Sequence, residues 1–206
     1  GGPRWAPVSP LNYARLLRAT YPKVKAVAPK IVVVAGETAA ADNSGCKNAG
    51  TTIGTHTFFR QLTRALGKGK PPFDAWAQHM HSVGPPGRAA FFPSWTTLST
   101  LTRELDALRP GRRMPVIISE TSYATSYSPY HRYFVTEAQQ AAWMQRSFQL
   151  ARKNPNVVAV VYFNLQDHRD WPAGLYRSDW TAKPALAAFR RWARQTPLPQ
   201  KWAPIP

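Results

Sequence analysis

Four short, mostly apolar stretches alternate with segments of helical periodicity, and this alternation limits the fold more than any other feature. The stretches are Ile31–Ala35, Phe73–His79, Met114–Ser119 and Val157–Phe163. Strands covered by helices on both faces read as near-continuous apolar runs rather than as an alternation of apolar and polar residues. Between them, apolar residues recur at helical spacing over 11–28, 55–66, 95–109 and 137–153, and a last helix is expected from Lys183-Pro184 to about Arg194. Stop and start signals punctuate the pattern. Pro29, Gly67, Pro110-Gly111 and Asn154-Pro155 end helices, while Ser94 and Thr136 can cap them. The order α-β-α-β-α-β-α-β-α, with a helix in every crossover, predicts a parallel α/β architecture. No repeat or linker divides 1–195, so one domain is expected there. Residues 196–206 hold four prolines in eleven positions and read as a strap or tail.

Charge is the unusual quantity. Among 206 residues, 27 Lys and Arg face 10 Asp and Glu, a formal net charge of +17. Such a balance suits an anionic partner, or it reflects a solubility bias with no specific partner. The basic residues are scattered, and no zinc finger, phosphate loop or RNA-binding aromatic motif is present, so nucleic acid is a poor fit. No apolar run is long enough to span a bilayer, and no signal peptide opens the chain. The single Cys46 excludes an internal disulfide framework.

Ligands of parallel α/β folds gather at the C-terminal ends of the strands. Those ends read Gly36-Glu37, Gln78-His79-Met80-His81, Ser119-Glu120-Thr121-Ser122-Tyr123 and Asn164-Leu165-Gln166-Asp167-His168. With so few acids in the chain, a glutamate directly after an apolar strand is informative, because a buried carboxylate is costly unless paired. Glu120 fits a nucleophile or general base, or else a salt bridge to Arg112 or Arg113. Glu37 fits a second catalytic group or a solvated loop acid.

His79 and His81 alternate, so they share a face if the strand extends that far. A zinc reading would need a third ligand from His131 or His168, and no paired-ligand spacing supports it, so no metal or cofactor is expected. His79 as a hydrogen-bond donor to a ligand or to Glu120 fits better. Trp171 and Trp180 lie in end loops, where they could stack on sugar rings or simply pack. Asp74 lies at the opposite end of its strand and reads as structural.

Taken in order, four segments resemble the C-terminal half of retaining glycoside hydrolases with a (β/α)8 barrel. Pro115–Tyr123 is similar to their strand-seven segment with the nucleophile glutamate, and Phe73–His81 to strand six with its histidine. Gly174-Leu175-Tyr176 followed by Thr181–Ala185 resembles the segment after strand eight, and Pro10–Val34 the helix and strand five. The likeness is to family 39-like members of the clan that holds the family 5 cellulases, and it covers about residues 10–195.

The resemblance implies a half-barrel of strands five to eight. It implies Glu120 as nucleophile and His79 as the active-site histidine of strand six; His81, Tyr123, Asn164 and Trp171, at the strand ends and in the loops after them, are expected around a carbohydrate substrate. His81 stands where a tyrosine is usual, and Thr121-Ser122 replaces the usual glycine. The family's acid/base glutamate belongs to an Asn-Glu-Pro segment ending strand four, and no such segment occurs in this sequence. Glu37 is then the strand-end glutamate left to supply a proton. A half-barrel leaves two strand edges open, so a homo-oligomer or a separate N-terminal barrel half is an expected partner. An extracellular protein acting on a polysaccharide or oligosaccharide is the expectation; a carbohydrate-binding protein that keeps the fold is the alternative.

Overall fold

The computed structural model describes residues 9–38, 55–81, 84–86, 98–109, 111–129 and 131–195. Nine elements alternate within them: α1 (Ser9–Val27), β1 (Val34–Thr38), α2 (Thr55–Leu66), β2 (Ala75–His79), α3 (Leu98–Ala107), β3 (Val116–Thr121), α4 (Glu137–Lys153), β4 (Val157–Tyr162) and α5 (Pro184–Gln195). The expected element order is the observed one. Ser94, Cys46 and the segment 196–206 lie outside the described residues. Thr136 caps α4 as expected: its hydroxyl accepts from the Gln139 amide, and the Gln139 side chain returns the bond to the Thr136 amide.

The sheet runs β1-β2-β3-β4, each neighbour parallel. Sequential order in a parallel sheet with a helix after each strand is the arrangement of a half-barrel. The core lies between the sheet and α1, α2 and α3, and it is centred on Trp76. The Phe59 and Phe73 rings pack against that indole at 5.3 and 5.9 Å between centroids. A second cluster joins α4 and α5 through Met144, Phe148, Leu175, Ala185 and Leu186.

The first strand departs from expectation in place and in burial. It was expected at Ile31–Ala35 with both faces covered, but it begins at Val34, and Ile31 is 53% exposed. Pairing sets the position: Val34 lies opposite Ala75 and Ala35 opposite Trp76. The residues before Val34 instead serve a clamp. The Asp74 carboxylate accepts from the Val33 amide at 2.9 Å and the Tyr21 hydroxyl at 2.8 Å, and it pairs with Lys25 at 2.6 Å. Asp74 thus fixes α1 and the approach to β1 against β2, far from the strand tips. Among the described strands β4 forms the other edge of the sheet, and its Val161 is 49% exposed. Among the described strands each of these two pairs on one side only, and apolar residues expected to be buried there are exposed.

Candidate active site

Glu120 is the penultimate residue of β3, and two register irregularities place its surroundings. In the β2–β3 pairing, Ile118 lies opposite Gln78 and Glu120 opposite His79, so Ser119 is an extra residue. A regular strand would send Ser119 and Glu120 to opposite faces. The bulge lets both reach the same polar cluster. Met80, between the two histidines, turns into the core, leaving His79 and His81 together at the tip.

The carboxylate of Glu120 is held at one oxygen. Oε2 lies 3.0 Å from His81 Nε2 and 3.4 Å from His79 Nδ1. Behind His81, its Nδ1 is 3.2 Å from the Ser122 hydroxyl, and the Trp171 indole donates to that hydroxyl at 3.1 Å. Indole can only donate. Ser122 can therefore accept from Trp171 and pass its own proton toward His81 Nδ1, which places the other ring proton on Nε2, aimed at Glu120. Burial lowers the His81 pKa below the ordinary histidine value, and the nearby His79 adds to this, while Glu120 opposes it.

Glu37 joins the cluster from β1. It was expected just past the strand; it lies inside it, as the unpaired residue between Gly36 (opposite Ala77) and Thr38 (opposite Gln78). Its φ is +55° and that of Gly36 is +109°. A Cβ on Gly36 would fall 2.3 Å from the Ala77 carbonyl oxygen, so only glycine admits this turn. The bulge aims Glu37 at β2 and β3. Its Oε2 is 2.8 Å from His79 Nε2 and accepts from Ser119 at 2.6 Å. His79 therefore stands between the two glutamates, one at each ring nitrogen. The Glu37 side chain is 59% exposed and that of Glu120 is 28% exposed, so both can be reached from solvent.

The loop after β4 brings Trp171. Lys183, with almost no exposure, pairs with Asp167 at 2.7 Å and donates to Thr125. Asp167 also accepts from the Gly174 amide at 2.7 Å. A Cβ on Gly174 would lie 2.4 Å from the Asp167 backbone nitrogen. The Gly174 and Lys183 positions noted in the sequence thus close one loop. On it, Trp171 packs edge-on to His81 and Phe163 at 5.0 and 5.3 Å and against His131 at 4.0 Å.

Asn164 lies where β4 ends and donates to the Gln166 carbonyl at 2.7 Å, while its Oδ1 is buried with no partner among the described residues. Tyr123 corrects the expected set. It is 3% exposed, its hydroxyl is bonded to Ser147 at 2.6 Å, and its ring packs on Trp143, so it supports α4 rather than a ligand. Glu120 is paired with histidines, not with Arg112 or Arg113. Ser119 and Ser122 were not singled out; their only sequence signal was a hydroxyl on each side of the strand-tip glutamate. Of the proposed third zinc ligands, His131 packs edge-on against Trp171, and His168 faces Asp170 in an exposed turn. Among the described residues, the group that comes within 4.8 Å of both His79 and His81 as a third ligand is Glu120 itself.

No family model matches the chain, and no curated protein matches it. Solved structures do. A family 39 glycoside hydrolase from the gut symbiont Bacteroides cellulosilyticus WH2 is 23% identical, with a TM-score of 0.56 over 86% of this chain and 36% of that one. An exo-beta-agarase is 12% identical, with a TM-score of 0.60 over 87% and 22% of the two chains. Xylanase 10B from Thermotoga petrophila RKU-1 is 16% identical, with a TM-score of 0.56 over 86% and 51%. The chain spans between about a fifth and a half of the length of these three. Its fold is that of part of a (β/α)8 barrel, a parallel half-barrel.

Proposed function

We propose that this chain supplies the nucleophile half of a retaining glycoside hydrolase that acts on a polysaccharide or oligosaccharide. The observation that carries the reading is Glu120, a carboxylate at a strand tip whose Oε2 lies 3.0 Å from His81 Nε2 and 3.4 Å from His79 Nδ1. A fixed carboxylate keeps one face for attack, and its orientation needs no reorganisation when the reaction starts. Glu120 attacks the anomeric carbon, the bond to the leaving oxygen breaks, and that oxygen takes a proton from an acid. Water then displaces Glu120 from the sugar, with the former acid acting as base.

Glu37 is the candidate acid within this chain. Both of its donors, Ser119 and His79, reach the same oxygen, which leaves Oε1 as the site for a transferable proton. Trp171 supplies an aromatic edge beside the cluster, and the basic surplus suits an anionic sugar. The experiment is Glu120→Gln, which keeps shape and removes the charge. Turnover should vanish on every glycoside that the parent cleaves; near-parental turnover would refute the assignment.

A carbohydrate-binding protein that keeps the fold is the second reading, which the Trp171 ring beside the strand tips also suits. It predicts saturable oligosaccharide binding with no hydrolysis, unchanged in Glu120→Gln.

A further inference from the structure

We propose that His79, His81 and Glu120 form a binding site for a zinc-type divalent cation, and that the ion competes with a glycosyl group for Glu120. One ligand atom from each residue lies within 4.8 Å of the other two. Glu120 Oε2 stands 3.0 Å from His81 Nε2 and 3.4 Å from His79 Nδ1. Nitrogen and oxygen ligands about 2.0–2.1 Å from a tetrahedral ion are roughly 3.3 Å apart. Two edges of the triangle already have that span, and the third is within 4.8 Å.

The partners behind the ligands are as specific as the ligands. A metal-bound histidine nearly always donates its other ring N–H to an acceptor, which fixes tautomer and orientation. Here His79 Nε2 has the Glu37 carboxylate at 2.8 Å, and His81 Nδ1 has the Ser122 hydroxyl at 3.2 Å. Ser122 can accept from both His81 and Trp171, because a hydroxyl has two lone pairs. In that tautomer, the reverse of the metal-free arrangement in which His81 Nε2–H faces Glu120, two bare nitrogens and a carboxylate oxygen face one another and can ligate a cation. Two imidazoles and one carboxylate suit Zn2+ rather than Mg2+ or Ca2+, which prefer oxygen. Three protein ligands leave a fourth position for water. All three side chains are partly exposed, so an ion has a way in.

The competition rests on the reading of Glu120 as nucleophile; the binding does not. A carboxylate bound to an ion cannot attack the sugar, so the occupied site is an off state that a chelator reverses.

Metal-free full-length chain is titrated with zinc chloride by calorimetry, and with cobalt(II) while the visible spectrum is recorded. One ion per chain and a tetrahedral cobalt spectrum are expected. Separate His79→Ala, His81→Ala and Glu120→Ala variants, each checked for native circular dichroism, should lose more affinity than Glu37→Gln, which should lose about 10–100-fold. His131→Ala and His168→Ala should bind as the parent does. Absence of saturable binding overturns the site, as does binding that survives both His79→Ala and His81→Ala. Where the parent turns over a glycoside, saturating zinc should stop it; binding without inhibition would place the ion away from Glu120 and overturn the proposal. A parent with no turnover would count against the glycosidase reading, while calorimetry would still decide the metal site.

Discussion

His81 faces Glu120 across neighbouring strand tips, with Nε2 3.0 Å from Oε2. The relay behind it runs through Ser122 to Trp171. Each link should matter less with distance from the carboxylate. A hydrogen bond to a charged group contributes about 1.5–3 kcal/mol, and a neutral one about 0.5–1.5. At one decade per 1.36 kcal/mol, His81→Ala should cost kcat/KM roughly 10–100-fold and Ser122→Ala a few-fold. Steady-state kinetics on one glycoside ranks them; a larger loss in Ser122→Ala would contradict the relay.

Glu37→Ala should separate substrates by leaving group. A good leaving group departs without a proton, so its hydrolysis should change little. A poor one should slow by about 10²–10⁴-fold. A series of aryl glycosides measures the slope. Equal loss across the series would remove Glu37 from the acid role, and a chelator should leave the parent active.

Asp74 should govern stability at acid pH. Burial pushes its pKa up, but Lys25, the Val33 amide and Tyr21 outweigh that and hold it below the ordinary aspartate value. A lowered carboxyl pKa adds stability that is complete above the unfolded value and disappears as pH falls through the folded one. Denaturant midpoints should therefore drop below about pH 4, and this drop should shrink in Asp74→Asn. Tyr21 has the opposite sign. Burial, and then the hydrogen bond to Asp74, push it up to about 12 from 10.0. Its contribution should be intact below pH 10 and fade toward about 12. A flat acid limb in the parent would show that the clamp contributes little.

The open edges should drive association with a second copy. Ile31, Val32 and Val34 are bare at one edge, and Val161 at the other. Two half-sheets related by a two-fold axis can pair edge to edge into eight strands. Sedimentation at micromolar concentration should show a dimer, and Val161→Lys should weaken it. A monomer across the whole range would contradict this.

The order of elements was readable from the chain because buried parallel strands announce themselves as apolar runs. Positions failed where pairing, not composition, decides. The run beginning at Ile31 looks like a strand, but the partner Ala75 starts it at Val34. Glu37 looks like a loop residue because nothing in Gly36-Glu37 reveals that the ladder skips it. Glu120 was legible as an isolated acid after an apolar run. Its partners were partly so: the two alternating histidines were visible, but the bulge at Ser119 that joins them to Glu37 depends on register. Tyr123 was misread because an aromatic after a strand tip can turn either way, and here the Ser147 hydroxyl on α4 draws it inward.

The central claim is that Glu120 forms a bond to the sugar. Its most direct test uses 2-deoxy-2-fluoroglycosides with an activated leaving group. They need no acid, so the result depends on Glu120 and not on Glu37 or on a second half-barrel's acid. Mass spectrometry of the intact chain after incubation, followed by peptide mapping, should find one fluoroglycosyl group on the peptide holding Glu120, absent in Glu120→Gln. Labelling at another residue, or equal labelling of parent and variant, would contradict the account.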